Sequence, residues 1–242
     1  MRVTMLYRNQ LLPKRKPSVE LSSQQILKRF ADPIDCLTAH LMLECSEVLA
    51  GVKPANLLSL VNRTRPCGRN LYQLWQAHHE ELIIRIPDLT FIALQTKPQA
   101  LLLLCYNHRV LDRHLSHAGI RILLQKAGYD VCGTCEALIG ELQHRIINNT
   151  TFPHEIGLFI GYPAKDVAAF MGMVKLKFTC QGPWKIYGNP VHSLALADQY
   201  RCCRNRMSAV LASGSSRALE LDNSNHPFFC HKLENDNQYL MQ

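Results

Sequence analysis

The stretch Pro153-His154-Glu155-Ile156-Gly157-Leu158-Phe159-Ile160-Gly161-Tyr162-Pro163-Ala164-Lys165-Asp166-Val167 decides how the chain is read. It reads as strand, tight turn and helix. Ile156, Leu158 and Ile160 alternate as one face of a strand does, with Phe159 on the other. Gly161 can take the backbone angles of a sharp exit. Pro163 suits the first position of a helix, and Asp166 would sit near that helix's positive end. On such a strand His154 shares the core face with Ile156, and Glu155 takes the opposite face. A half-buried, neutral, hydrogen-bonded His154 is therefore expected, with a Glu155–Lys185 contact on the other side.

Working outward, Pro190 opens a long helix to about Leu211, with Leu196, Tyr200, Cys203, Met207 and Val210 on one face. Phe178 to Gln181 and Trp184 to Tyr187 are short strands around Gly182-Pro183. Towards the N-terminus, Thr134 to Asn148 reads as helix, with Leu138, Leu142 and Ile146 aligned. Two short helices, about Val110 to His117 and Ile120 to Lys126, break at Gly119. Leu89 to Leu94 and Ala100 to Tyr106 form an antiparallel hairpin across a four- or five-residue loop at Thr96-Lys97-Pro98-Gln99. Leu71 to Ile84 is a helix stopped by Pro87. Asn62 to Asn70 is a basic loop. Lys53-Pro54-Ala55-Asn56 turns into a short apolar helix, Leu57 to Val61. Residues 34 to 51 form one continuous helix with Ile34, Leu37, Leu41, Cys45 and Val48 in its stripe, closed by Gly51. A short helix starts at Ser22-Ser23-Gln24-Gln25. Uneven alternation of helices and strands predicts an α+β fold: a small, largely antiparallel sheet packed by helices in a single domain, residues 21–213. A basic tail or arm, 1–20, precedes it, and a polar tail expected to be disordered, 214–242, follows.

The 242 residues, 47% hydrophobic and 19% charged, are enough for a substantial core. No apolar run reaches membrane-spanning length, and Met1 to Arg8 lacks a signal peptide's apolar centre, so a cytoplasmic protein with no membrane association is expected. Ten cysteines are scattered singly through predicted helices and strands, which predicts reduced thiols. The net charge of +8 lies largely in Arg8 to Lys16 and Arg63 to Arg69, in loops and not along one helical face. Arg63, Arg65 and Arg69 lack interleaved aromatics that could stack bases, so nucleic-acid binding ranks last among the readings.

Cys132-Gly133-Thr134-Cys135 is a C-x-x-C, but zinc would need a second pair at matching spacing. Cys135 also falls on the apolar side of its helix. His108, His114 and His117 have metal-like spacing, but the one nearby carboxylate, Asp112, points elsewhere on the helix, and they read as surface histidines. No metal site is assigned, and the sequence does not say which cofactor, if any, the protein uses. Glycine-rich phosphate loops, H-E-x-x-H and G-x-S-x-G are absent from the sequence.

Three segments resemble the bacterial domain-of-unknown-function family numbered 3793: Cys45 to Leu57, Pro153 to Val167, and Gly182-Pro183-Trp184-Lys185-Ile186-Tyr187-Gly188. Their order and spacing agree with it over roughly residues 25 to 210. The resemblance implies a bacterial cytosolic protein and assigns no roles. Where that family resembles Cys-Ala-Pro-Thr, this chain has Cys45-Ser46-Glu47-Val48. A proline after the cysteine would place the thiol at a helix N-terminus and lower its pKa; without it Cys45 reads as interior to a helix.

Turn and strand-end positions, where ligand groups usually sit, hold Lys53, Asn56, His154, Lys185 and Tyr187. The leading expectation is a binding module for a small or anionic ligand using them. The alternative is a cysteine-dependent enzyme with Cys45 as nucleophile, His154 as base and Glu155 as a further candidate. Oligomeric state is not readable from the sequence.

Overall fold

The computed structural model describes residues 22–66, 68–220 and 228. The predicted arm, 1–20, and most of the predicted polar tail lie outside them. The order is α1 (Ser23–Leu27), α2 (Pro33–Glu44), α3 (Ser46–Leu49), β1 (Ala55–Val61), α4 (Leu71–Arg85), β2 (Thr90–Lys97), β3 (Ala100–Tyr106), α5 (His108–Leu115), α6 (Ala118–Lys126), α7 (Cys135–Asn148), α8 (Ile156–Phe159), α9 (Ala164–Phe170), β4 (Phe178–Gln181), β5 (Lys185–Tyr187) and α10 (Val191–Leu211). The fold is α+β.

Its centre is β3, hydrogen-bonded antiparallel to β1 on one side and β2 on the other. Side chains alternate across a strand, and β3 is apolar on both faces. Leu101, Leu103 and Cys105 enter one core with α1, α2, α4 and the C-terminal part of α10. Leu104 and Tyr106 enter a second core with α5, α6, α7 and α8. Sequence Leu-Leu-Leu-Leu-Cys-Tyr thus serves two helical layers at once. A smaller apolar cluster, Trp184, Ile186, Ala197 and Tyr200, glues the β4–β5 hairpin to the N-terminal part of α10. That one helix therefore bridges the hairpin and the first core.

Several elements depart from the sequence reading. Leu57 to Val61 is strand, not helix: it pairs residue for residue with β3, from Leu57↔Leu104 to Val61↔Ala100. A short apolar run carries little intrinsic preference, and a distant partner decided it. The predicted loop between β2 and β3 shrinks to Pro98-Gln99, because Thr96 and Lys97 continue the ladder to Leu101 and Ala100. The helix expected over 34 to 51 breaks at Cys45, whose φ −108°, ψ 18° is not helical; α3 restarts after it.

Residues 153–167 differ most from the fold their sequence predicts. Residues 156–160 are not a strand. Ile156 to Phe159 make the short helix α8, and every side chain from Glu155 to Gly161 is buried. Alternation carries no signal when both faces are inside. The turn at Gly161, with φ +76°, is present as read, and so is the helix, which starts at Ala164 with Pro163 one position earlier than expected, as its cap.

Candidate functional site

Gly161 brings the three chain segments together. A Cβ there would stand 2.5 Å from Pro54 Cδ, so only glycine allows the Lys53-Pro54 turn to lie against α8. Tyr200 Oη donates to the Gly161 carbonyl at 3.0 Å. Tyr162 then stacks on Trp184, with centroids 4.7 Å apart at 27°. Lys53 Nζ lies 5.8 Å from the Tyr162 centroid and 5.1 Å from that of Tyr200, within cation–π reach.

Asp166 locks the next layer. Its carboxylate is buried and accepts from Trp184 Nε1 at 2.9 Å, Ser193 Oγ at 2.6 Å, Tyr187 N at 2.9 Å and Lys165 Nζ at 2.8 Å. Burial opposes its ionisation, yet these bonds outweigh it and hold the carboxyl below its ordinary range. Asp166 thereby fixes α9, β5 and the start of α10.

Above this frame opens a cleft of about 320 Å³. Ile156, Gly157, Val167 and Phe170 line it with Tyr162 and Trp184, so its walls are largely apolar. His154, Lys185 and Gln181 are exposed lining residues. The His154 ring meets Phe170 edge-on at 4.9 Å, and Lys185 Nζ is 5.2 Å from the same ring's centroid. Two groups able to carry positive charge thus flank one aromatic ring.

Of the five residues expected to bind ligand, only His154 and Lys185 line the cleft. His154 is exposed, not half-buried, because it stands in the turn before α8 and not on a strand face. Lys53 is buried against the Tyr162 and Tyr200 rings and donates to Asn56 Oδ1 at 3.0 Å. Burial pulls its pKa down, with Glu47 opposing; burial likewise pushes the Glu47 carboxyl up, with Lys53 opposing. Asn56 is committed to Lys53, to the Leu57 amide and to the Glu44 carbonyl. Tyr187 is tied by its backbone to Asp166 and Lys165, and its ring meets Phe178.

Glu155 does not touch Lys185. Its carboxylate is buried and accepts from Tyr129 Oη and Arg145 Nη1, each at 3.2 Å, while the Arg145 guanidinium covers the Tyr129 ring at 3.9 Å. This cluster pins α8 to α7. Cys45 is fully buried in the first core. A hydrogen bond with Cys105 and burial both raise its thiol pKa well above the ordinary value. It therefore lacks the accessible thiolate a nucleophile requires, and the Cys45–His154–Glu155 site does not form: one member lies in a core, one in the cleft and one in an ion pair. Of the C-x-x-C, Cys132 is exposed, while Cys135 is buried in the second core with its thiol pushed up to about 11, burial being the main cause. His114 is not on the surface: it is half-buried, with Nε2 at 2.8 Å from the Leu158 carbonyl.

Tyr162, Trp184 and Phe170 are the site residues the sequence reading passed over. Tyr162 and Trp184 lie inside the quoted segments, where aromatic side chains ordinarily mark core. A family model described as Protein of unknown function (DUF3793) matches residues 41–219. The chain belongs to that family. The segments that resembled it, scattered along the chain, supply Lys53, Gly161, Tyr162 and Trp184 to one place. No curated protein and no solved structure matches the chain. No helix among the described residues is long and apolar enough to cross a membrane.

Proposed function

We propose that the protein is a binding module for a small molecule with a flat apolar body and one anionic group. The observation that carries this reading is the cleft itself: an apolar space of about 320 Å³ with Trp184 and Tyr162 stacked in its wall and His154 and Lys185 on either side of Phe170. Mostly apolar walls with few polar groups at fixed places suit a small organic ligand. Asp166 also lines the cleft, but Lys165 and three hydrogen bonds already satisfy its charge, so it does not set a cation preference. Lys53 acts through Tyr162, as a support for the ring and not as a ligand contact. The described cysteines are free thiols, which suits the reducing cytoplasm of a bacterium.

The probe is 8-anilinonaphthalene-1-sulfonate, an aromatic body with a sulfonate. The folded wild type should bind one equivalent and quench Trp184. Lys185→Glu should weaken binding by roughly tenfold, the scale of about 1.4 kcal/mol. His154→Glu should weaken it likewise. Equal affinity of wild type and both variants, with unchanged melting curves, would falsify the assignment.

A further inference from the structure

The β4–β5 hairpin has two outer edges, and the fold treats them differently. On β5, Tyr187 donates its N–H to Asp166 Oδ1 and its carbonyl accepts from Lys165 Nζ at 2.7 Å, so α9 closes that edge. Among the described residues the sheet consists of these two strands alone, and no strand lies against the far edge of β4. The segment entering β4 is exposed along its length. Val174 is 40% exposed, Leu176 41% and Phe178 54%, in alternation with exposed Lys175 and Lys177. From Val167 through Ala197 the sequence holds no Asp or Glu. Among the described residues neither Lys175 nor Lys177 has an ion-pair partner.

We propose that this edge is a docking site for an extended acidic segment of another protein. The segment would add a strand beside β4 and its approach, with carboxylates facing Lys175 and Lys177 and apolar side chains facing Val174, Leu176 and Phe178. Strand addition satisfies the open backbone groups, and period-two alternation supplies the two faces. Charge selects the occupant. A second copy paired antiparallel through the same edge would set lysine near lysine, which is unfavourable. A bilayer offers nothing to an open strand edge, and lysines at this density fall short of the roughly four to eight basic residues of a lipid-reading cluster. Lysines alone would protect an edge from pairing. Three exposed apolar side chains between them work against protection and favour recognition. The site stands apart from the cleft: none of Val174 to Phe178 lines it.

The test is selection of phage-displayed random dodecapeptides on the full-length protein, with Lys175→Glu/Lys177→Glu as the comparison. Both lysines are exposed, so the double variant should keep the wild-type circular dichroism and melting temperature. Wild type should enrich peptides that alternate Asp or Glu with Val, Ile or Phe. The best of these, made synthetically, should lose at least about tenfold in affinity for the double variant and weaken as salt rises. Lys185→Glu, which weakens the cleft probe about tenfold, should leave peptide affinity unchanged. The proposal is overturned by enrichment without acidic preference, by equal binding to the double variant, or by peptides that compete with the cleft probe. It is equally overturned if the double variant abolishes self-association or co-sedimentation with phosphatidylserine vesicles while no acidic peptide is enriched.

Discussion

The two hairpins of this molecule solve opposite problems. The β2–β3 hairpin turns in two residues and sends β3 through the middle of the fold, where Leu103 and Leu104 face two different cores and both are fully buried. The β4–β5 hairpin is half as long, rests one face on α10, and is held at one end by the neighbouring residues Lys165 and Asp166 of α9. In the first, apolar area fixes the strand and its register, since a one-residue slip would exchange the two cores. In the second, directional hydrogen bonds add to a much smaller apolar contact, Trp184 and Ile186 against Ala197 and Tyr200. A region secured by bonds at one point leaves the rest of its surface free for ligand and partner; a region secured by burial does not.

The largest effect should come from the first hairpin. Leu103→Ala removes a fully buried side chain from the central strand and leaves a cavity between β3 and its helical layer. A loss of about 3–4 kcal/mol is expected in urea unfolding, with sheet and helices lost together. A cost below about 1 kcal/mol would mean the first core is no more tightly fitted than the hairpin surface, and the contrast would fail.

How much of this contrast the sequence displays depends on where the deciding partner lies. β3 announced itself because a long apolar run bounded by turn signals suits a doubly buried strand. Both hairpins were legible because their strands are neighbours in sequence. β1 was misread because its partner is β3, some forty residues on, and nothing local favours strand over helix in Leu57 to Val61. Residues 156–160 failed for the reverse reason: complete burial erased the periodicity that a half-buried element would have shown. At the cleft, His154 and Lys185 are legible in the sequence as polar residues near turns. Tyr162, Trp184 and Phe170 were missed because aromatic side chains normally signal core, and only their placement around a common opening makes them a wall. Glu155, a candidate for the site, and Asp166, expected only near a helix's positive end, are ties between elements through their bonds to Tyr129, Arg145, Trp184 and Ser193.

A second way to sharpen the comparison is acid. Asp166 has a folded pKa below its unfolded value of 3.8. A group depressed in this way contributes stability that is fully present above the unfolded pKa and is lost as pH falls through the folded one. The β4–β5 hairpin should therefore loosen below pH 3.8, whereas β3 is tied by apolar burial. Trp184 reports directly, because its Nε1–H is bonded to Asp166; in a Trp75→Phe background it is the sole tryptophan. Its emission should shift to the red at a higher pH than the one at which far-ultraviolet circular dichroism collapses. Asp166→Ala should show the shifted emission already at neutral pH, because Trp184, Ser193 and Tyr187 lose their shared acceptor. Coincident transitions in the wild type would show that the hairpin has no separate anchor.

The smallest effect concerns the free surface. Phe178 is 54% exposed, and its described aromatic contact is an edge-on approach to Tyr187 at 5.9 Å. Truncating an exposed side chain outside a core usually changes stability by about half a kcal/mol or less, and an edge-on ring pair in water adds little to that. Phe178→Ser should thus leave the melting temperature within a few degrees of wild type, against the loss expected for Leu103→Ala. It also leaves the cleft untouched, since Phe178 does not line it, so affinity for the sulfonate probe should not move. Binding of the acidic peptide should weaken, because one of three apolar contacts is gone. A destabilisation above about 1 kcal/mol would place Phe178 in a packed layer, and the exposed edge on which the second hairpin's difference rests would not exist.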